Sequence, residues 1–319
     1  MIDYFKKNVD FLSRITILFI IVAGMSVINP PAFLNWNNLS TVMFQQAPFT
    51  ILMSFGMTMA IITKGIDKSM ASIVVLASML SGSYFKNGNL AMGFLIALAV
   101  GAAAGLLNGT LITRVGVAPF IATYGTDFIA LGLAYVVCAG RYIYDFPANF
   151  RVITNGCFIP SVPNIALVTM IIFILLWFLT RKTIFGRSMY SAGFNVDATI
   201  LSGIDAKKVV TVVYTINGLL AALVGVLYMA RLNAADPNIS GNLCLDSIAA
   251  SLIGGTSFGG GKGSVSNAVI GALIIVFIRN GMNIMNISTN WQQAVVGFVI
   301  IFSVFYEMAI ERLTKKRMG

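Results

Sequence analysis

The chain has 319 residues but no histidine, only three cysteines and eight prolines, and 10% charged residues. Without histidine it loses the most common general base and the most common metal ligand. Cys138, Cys157 and Cys244 lie far apart and are odd in number, so they form neither a zinc-ligand spacing nor a closed disulfide framework. No nucleophile–base pair stands out. Together these absences argue against an enzyme. Acid is scarce as well, with 11 Asp and Glu against 21 Lys and Arg, a net charge of +10. A basic balance can signal nucleic acid, but here the cations punctuate the ends of apolar runs and do not gather on one face. No nucleic-acid partner is expected.

Apolar residues fill the rest. Hydrophobic residues make up 58% of the chain, and mean hydropathy is +0.88. A soluble domain of this size would have to leave Leu, Ile and Phe facing water, so a bilayer is the fitting solvent. A segment in lipid must satisfy its own backbone polar groups, which makes helices the expected element. Alternating ten-residue strands, the mark of a membrane barrel, are missing.

The apolar runs predict an all-α polytopic bundle of about ten spans, each near the ~20 residues a hydrocarbon core requires. They cover Phe11–Ile28, Ala47–Thr63, Met70–Phe85, Leu90–Ile112, Ala118–Ala139, Asn164–Thr180, Val209–Ala230, Ser247–Phe258, Val265–Met282 and Trp291–Met308. The first resembles a signal peptide, but Asn29-Pro30-Pro31 follows where a small-residue cleavage site would be, so it reads as a retained helix. The eighth is too short to cross unbroken: it begins earlier, near Leu243, or is half of a broken helix. Eight spans with two re-entrant segments is the alternative. Residues 1–319 read as a single transmembrane domain.

Cation placement predicts orientation. With the N-terminus inside, sixteen of the 21 Lys and Arg fall on the cytoplasmic side; Lys86, Arg141, Arg151, Arg231 and Arg279 fall outside. An even number of spans places both basic termini in the cytoplasm. The longest inner polar stretch, Arg181–Lys208, holds a predicted short helix, Val196–Leu201, with Asn195 as N-cap and Gly203 as its stop. Such a helix could receive a soluble partner or simply lie at the interface. In the outer loop Gly140–Pro163, Pro147, Pro160 and Pro163 argue against a continuous helix.

Charge inside an apolar run requires an explanation. Asp67, between Lys64 and Lys68, reads as an N-cap and helix-dipole partner for the third span, and Asp246 as a similar cap for the eighth. Asp127 lies within the fifth run with no adjacent cation. The pairs Asp67–Ser69 and Asp246–Ser247 would open spans from opposite sides, which hints at inverted repeats. Gly101 and Gly105 have the spacing that lets helices approach closely in lipid. The glycine-rich stretch 254–264 departs from a phosphate-binding loop in spacing and lacks Ser or Thr after Lys262, so it reads as a tight turn.

Several motifs occur in order along nearly the whole chain: Lys64-Gly-Ile-Asp-Lys-Ser69, Gly105-Leu-Leu-Asn-Gly109, Pro119-Phe-Ile-Ala-Thr-Tyr-Gly-Thr126, Thr183-Ile-Phe-Gly-Arg187, Leu201-Ser-Gly-Ile204, Leu245-Asp246, Ile253-Gly-Gly-Thr-Ser257 and Gly260-Gly-Lys-Gly-Ser264. As a set they resemble the ribose-type ABC sugar permease family. The resemblance implies a type II importer-like membrane subunit in the bacterial inner membrane. It would pair with a second permease copy and with an ATPase of tandem nucleotide domains, which uses the ATP and Mg. A periplasmic or lipid-anchored protein would deliver a pentose, hexose or similar ligand. This chain itself would bind no cofactor and no metal.

The same resemblance implies an ATPase contact at Gly186, Arg187, Asn195, Asp197, Ala198, Gly203 and Ile204, within a coupling segment 181–208. Asp67, Ser69, Asn108, Thr126 and Asp246 become candidates for the translocation path. Lys64, Lys68, Met70, Ala71, Phe194, Thr199 and Cys244 depart from the family pattern, which raises pairing with a paralogue as an alternative to a homodimer. A rival reading is an ion-coupled secondary transporter, with Asp127 as its titrating carboxylate.

Overall fold

The computed structural model describes the backbone of residues 2–28, 30–239 and 241–318, and side chains within 14–27, 31–239 and 241–305. The terminal cations Lys6, Lys7, Arg312, Lys315, Lys316 and Arg317 therefore lie outside the described side chains. Each predicted apolar run lies largely on helix, the eighth only as far as Ile253. In chain order the helices are α1 (Ile2–Ile28), α2 (Pro30–Phe33), α3 (Trp36–Thr41), α4 (Ala47–Ile62), α5 (Met70–Lys86), α6 (Leu90–Thr110), α7 (Pro119–Cys138), α8 (Ala148–Asn155), α9 (Asn164–Lys182), α10 (Ile184–Phe194), α11 (Val196–Leu201), α12 (Ala206–Leu232), α13 (Leu243–Ile253), α14 (Val265–Ile284) and α15 (Thr289–Met318).

Two π-helical turns interrupt the regular geometry, Val42–Gln46 between α3 and α4 and Leu111–Val115 after α6. Among the described residues five helices are long and apolar enough to cross a membrane: Leu90–Val115, Pro119–Cys138, Asn164–Lys182, Ala206–Leu232 and Val265–Ile284. α5 and α13 are shorter apolar helices. α13 starts at Leu243, the earlier start expected for the eighth run, yet spans only 11 residues, about 16 Å at 1.5 Å per residue.

α4 is the central post. All 16 of its residues are buried, as expected of a helix apolar on every side. Around it pack α9, α12, α13 and α14. The outer faces of α6, α7, α9 and α15 carry exposed Leu95, Phe128, Ile129, Ile171, Phe178 and Phe298. Such a belt is stable only against lipid or another apolar surface.

The packing repeats. α4 contacts α13 and α14 as α12 contacts α5 and α6; α5 contacts α6 and α7 as α13 contacts α14 and α15. Exchanging the sets α4–α7 and α12–α15 thus preserves the neighbours. The sets run in opposite directions: α4 ends, and α12 begins, near α10 and α11. This is the packing expected of inverted repeats.

A tight seam joins α6 to α12. A Cβ on Gly101 would lie 2.3 Å from the Gly218 carbonyl oxygen, and one on Gly105 2.3 Å from that of Tyr214. Glycine is required there because backbone meets backbone. The loops after α7 and α12 add a two-residue antiparallel ladder, β1 (Ile143–Tyr144) with β2 (Ala234–Ala235), which the sequence reading did not anticipate.

Candidate functional site: a buried polar knot and an exposed elbow

Residues 63–69, between α4 and α5, are not helical. This segment turns back into the bundle and is held there by side chains from four helices. Asp67 Oδ1 accepts from Ser69 N at 3.2 Å and from Ser69 Oγ at 2.6 Å. Ser69 Oγ accepts from Asn108 Nδ2 on α6 at 2.8 Å, and Asn108 Oδ1 accepts from Thr126 Oγ1 on α7 at 2.6 Å. Thr123 Oγ1 donates to the Ile66 carbonyl at 3.0 Å and accepts from Lys68 N at 3.1 Å.

Beside this chain of bonds, Lys68 Nζ pairs with Asp127 Oδ2 at 3.0 Å, and Ser72 Oγ donates to Asp127 Oδ1. From α12, the Asn217 amide lies 3.3 Å from Asp67 Oδ2. Turned over, the same amide would donate to the carbonyls of Gly56 at 2.9 Å and Val213 at 3.1 Å. The NH₂ thus faces either Asp67 or the two helix carbonyls, one set at a time.

Four of the five path candidates therefore converge. Asp67, Ser69 and Asn108 are fully buried at 0% exposure, and Thr126 is nearly so at 4%. They form a closed knot rather than the wall of an open channel. Burying so many polar groups is tolerable because each has a partner. Gly65 permits the approach: a Cβ there would lie 2.1 Å from the Tyr214 hydroxyl.

Two local readings need correction. Asp67 does not cap α5: the N-cap position belongs to Ser69, and Asp67 turns to bind that residue. Asp246 is not a cap either. It sits inside the first turn of α13 after Asn242, and its carboxylate pairs with Arg279 of α14. Asp127 does have a cation, Lys68, 59 residues away in sequence and invisible to an inspection of neighbours.

Asp246 is also the path candidate that stands apart. It lines a cavity of about 230 Å³ at the end of the bundle opposite α11. Sequence reasoning missed Lys68, Ser72 and Asn217 in the knot, and Gln45, Gln46, Arg231 and Arg279 around that cavity. For the arginines a signal existed, since both fall among the five cations on the charge-poor side.

The predicted coupling segment is an exposed elbow. Thr183 caps α10 by accepting from Gly186 N at 3.2 Å, and Asn195 caps α11 by accepting from Ala198 N at 3.0 Å. Gly203 follows with φ +80°, the left-handed stop expected after α11. Arg187, Asn195, Asp197, Ala198 and Gly203 are exposed, Ile204 is half-buried and Gly186 is buried. A Cβ on Gly186 would meet the Thr180 carbonyl at 2.1 Å, so its place is packing between α9 and α10. Phe194 and Leu201, at 73% and 89% exposure, give the elbow an apolar tip.

The elbow touches the foot of α4. A Cβ on Gly193 would lie 1.8 Å from the Ile62 carbonyl oxygen, which also accepts from Gly261 N at 2.8 Å. Lys64 Nζ donates to the Phe194 carbonyl at 3.2 Å. Gly255, Gly260 and Gly261 hold φ between +70° and +80°, the tight turn expected of stretch 254–264. Elbow, glycine turn and the start of the non-helical segment thus meet at one junction.

Residues 38–304 match the family model described as "Branched-chain amino acid transport system / permease component". The chain is 38% identical to the D-allose transport system permease protein AlsC of Escherichia coli K12, over 94% of this chain and 91% of that protein. It is 37% identical to the ribose import permease protein RbsC of Bacillus subtilis 168, over 91% and 90%. Against the galactose/methyl galactoside import permease protein MglC of Haemophilus influenzae it is 31% identical, over 94% and 95%. No solved structure matches. The chain belongs to this family of membrane permease components, as its motifs and helical bundle led one to expect.

Proposed function

We propose that this chain is the membrane-spanning permease subunit of an ATP-driven ABC importer for a monosaccharide. Full-length similarity to permeases named for allose, ribose and galactose carries the reading. The charge distribution adds an orientation, with about ten segments entering the bilayer and both termini in the cytoplasm. Partners on this reading are a second permease copy or paralogue, a tandem-cassette ATPase at the elbow, and a sugar-binding protein outside.

The geometry supports a mechanical role for the elbow. Closure of the ATPases would push on Phe194 and α11. Through Gly193 and Lys64 the push would reach Ile62 and the segment 63–69, whose bonds to Asn108, Thr126 and Asn217 brace α6, α7 and α12. A braced segment with two arrangements is a suitable gate. Asp67, Ser69, Asn108 and Thr126 would then act as its latch. Asp127, neutralised by Lys68, is poorly suited to the cation cycle of a secondary transporter.

The test is uptake of radiolabelled D-ribose, D-allose and D-galactose by liposomes holding the permease and ATPase, with binding protein outside and ATP within. Flux that requires ATP and survives an uncoupler is expected. Flux that the uncoupler abolishes while ATP is intact would favour the ion-coupled alternative and remove this reading.

A further inference from the structure

The cavity at Asp246 is lined by polar groups that keep bonding capacity unused. Its rim begins with Gln45 and Gln46, both on the π-helical turn Val42–Gln46. A π turn is locally unfavourable and is found preferentially at functional positions. Across the cavity stands Arg231, the last basic residue of α12, donating through Nη1 to the Gln45 carbonyl at 2.9 Å and to Gln45 Oε1 at 3.0 Å. A guanidinium has five N–H donors, so others are left to spend.

Arg279 donates through Nη2 to Asp246 Oδ1, and its Nε is buried without a hydrogen-bond partner. A buried unpaired donor is costly, so its persistence calls for an explanation. Asp246 commits one oxygen and has a second with which to accept. Phe49 and Tyr228 stack at 3.8 Å and 18° and supply an apolar surface below these groups.

We propose that this cavity is a binding site within the permease for a single neutral monosaccharide, occupied before the ligand passes the knot. The proposal rests on the importer reading. Each sugar hydroxyl both donates and accepts. It therefore suits a cavity that offers guanidinium donors, a carboxylate acceptor and amides that do both. Size suits a small ligand: about 230 Å³ is below the ~300–1,000 Å³ of drug-sized sites. The commitment to a neutral sugar follows from the importer reading, whose relatives are named for allose, ribose and galactose.

The test measures binding apart from transport. The permease in nanodiscs, without binding protein, is equilibrated with tritiated D-ribose, D-allose, D-galactose and D-galacturonate. Saturable binding of at least one neutral sugar is expected, with Gln46→Ala weakening it about three- to tenfold, the loss of one hydrogen bond. Asp246→Asn should weaken it further. Gln46, exposed at the rim, keeps the test meaningful if Asp246→Asn fails to accumulate. Lys86→Ala, exposed on the same side, should change nothing.

Absence of saturable binding, binding of galacturonate alone, or neutral-sugar binding indifferent to both cavity variants would overturn the site. If ATP-dependent uptake by the complete transporter persists in those cases, the importer reading survives without it. If the complete transporter imports none of the three sugars, the importer reading falls and this site falls with it.

Discussion

The two halves of the bundle place an aspartate at the same station, and they use it differently. In the first half, Asp67 lies in the connection from α4 to α5 and is enclosed by Ser69, Asn108 and Asn217. In the second half, Asp246 follows the connection from α12 to α13 and faces a cavity, with Arg279 beside it. Each cluster includes an ion pair that reaches a neighbouring helix, Lys68–Asp127 in one and Arg279–Asp246 in the other. The contrast lies in access. A polar cluster closed off within the bundle holds its helices; one that opens on a cavity with spare donors and acceptors can take up a guest.

The largest effect should come from prising apart the helices that present the knot. Gly105→Leu would drive a side chain into the Tyr214 carbonyl, and loss of folded protein is expected on size-exclusion chromatography in detergent. Next is Lys68→Ala, which strands Asp127 in the interior at a cost of about 3 kcal/mol. Lys68→Met combined with Asp127→Leu should recover much of that loss in thermal unfolding, whereas equal or greater damage in the double variant would show that the pair does more than balance charge.

Gly203→Pro should act at the elbow instead, because proline cannot adopt the left-handed backbone found there. ATP turnover uncoupled from sugar uptake is expected, with membrane insertion intact. Unchanged uptake would remove the coupling assignment. The smallest effect is that of Asn195→Ala, which deletes the cap of α11 at about 1 kcal/mol. It should lower elbow protection in hydrogen exchange while leaving the knot as it was; matching changes at Asp67 and Ser69 would indicate that the two regions open together.

Local patterns in the sequence reveal much of this architecture. The ten apolar runs, the Asn195 cap, the Gly203 stop and the glycine turn can each be found because their causes lie within a few residues. The knot cannot be found so directly. Its members Asp67, Ser69, Asn108 and Thr126 stand out singly as polar residues in apolar stretches, but their union depends on contacts across the bundle. The same distance hides Lys68 from Asp127 and Arg279 from Asp246. The π turn leaves no mark in composition, so Gln45 and Gln46 read as ordinary loop-end amides until the backbone shows how they are presented. The assignment of Asp67 and Asp246 as caps erred by weighing helix starts alone, when buried partners elsewhere competed for the carboxylates.

The carbonyl of Ile62 has a further implication. It is filled on one side by a glycine of the elbow and bonded on the other to a glycine of the 254–264 turn, with no gap into which even a methyl group would fit. A joint so free of slack transmits displacement without storing it. A displacement applied at the elbow would then reach the bundle interior nearly undiminished, and loosening this one contact would lose motion even where every other part is sound.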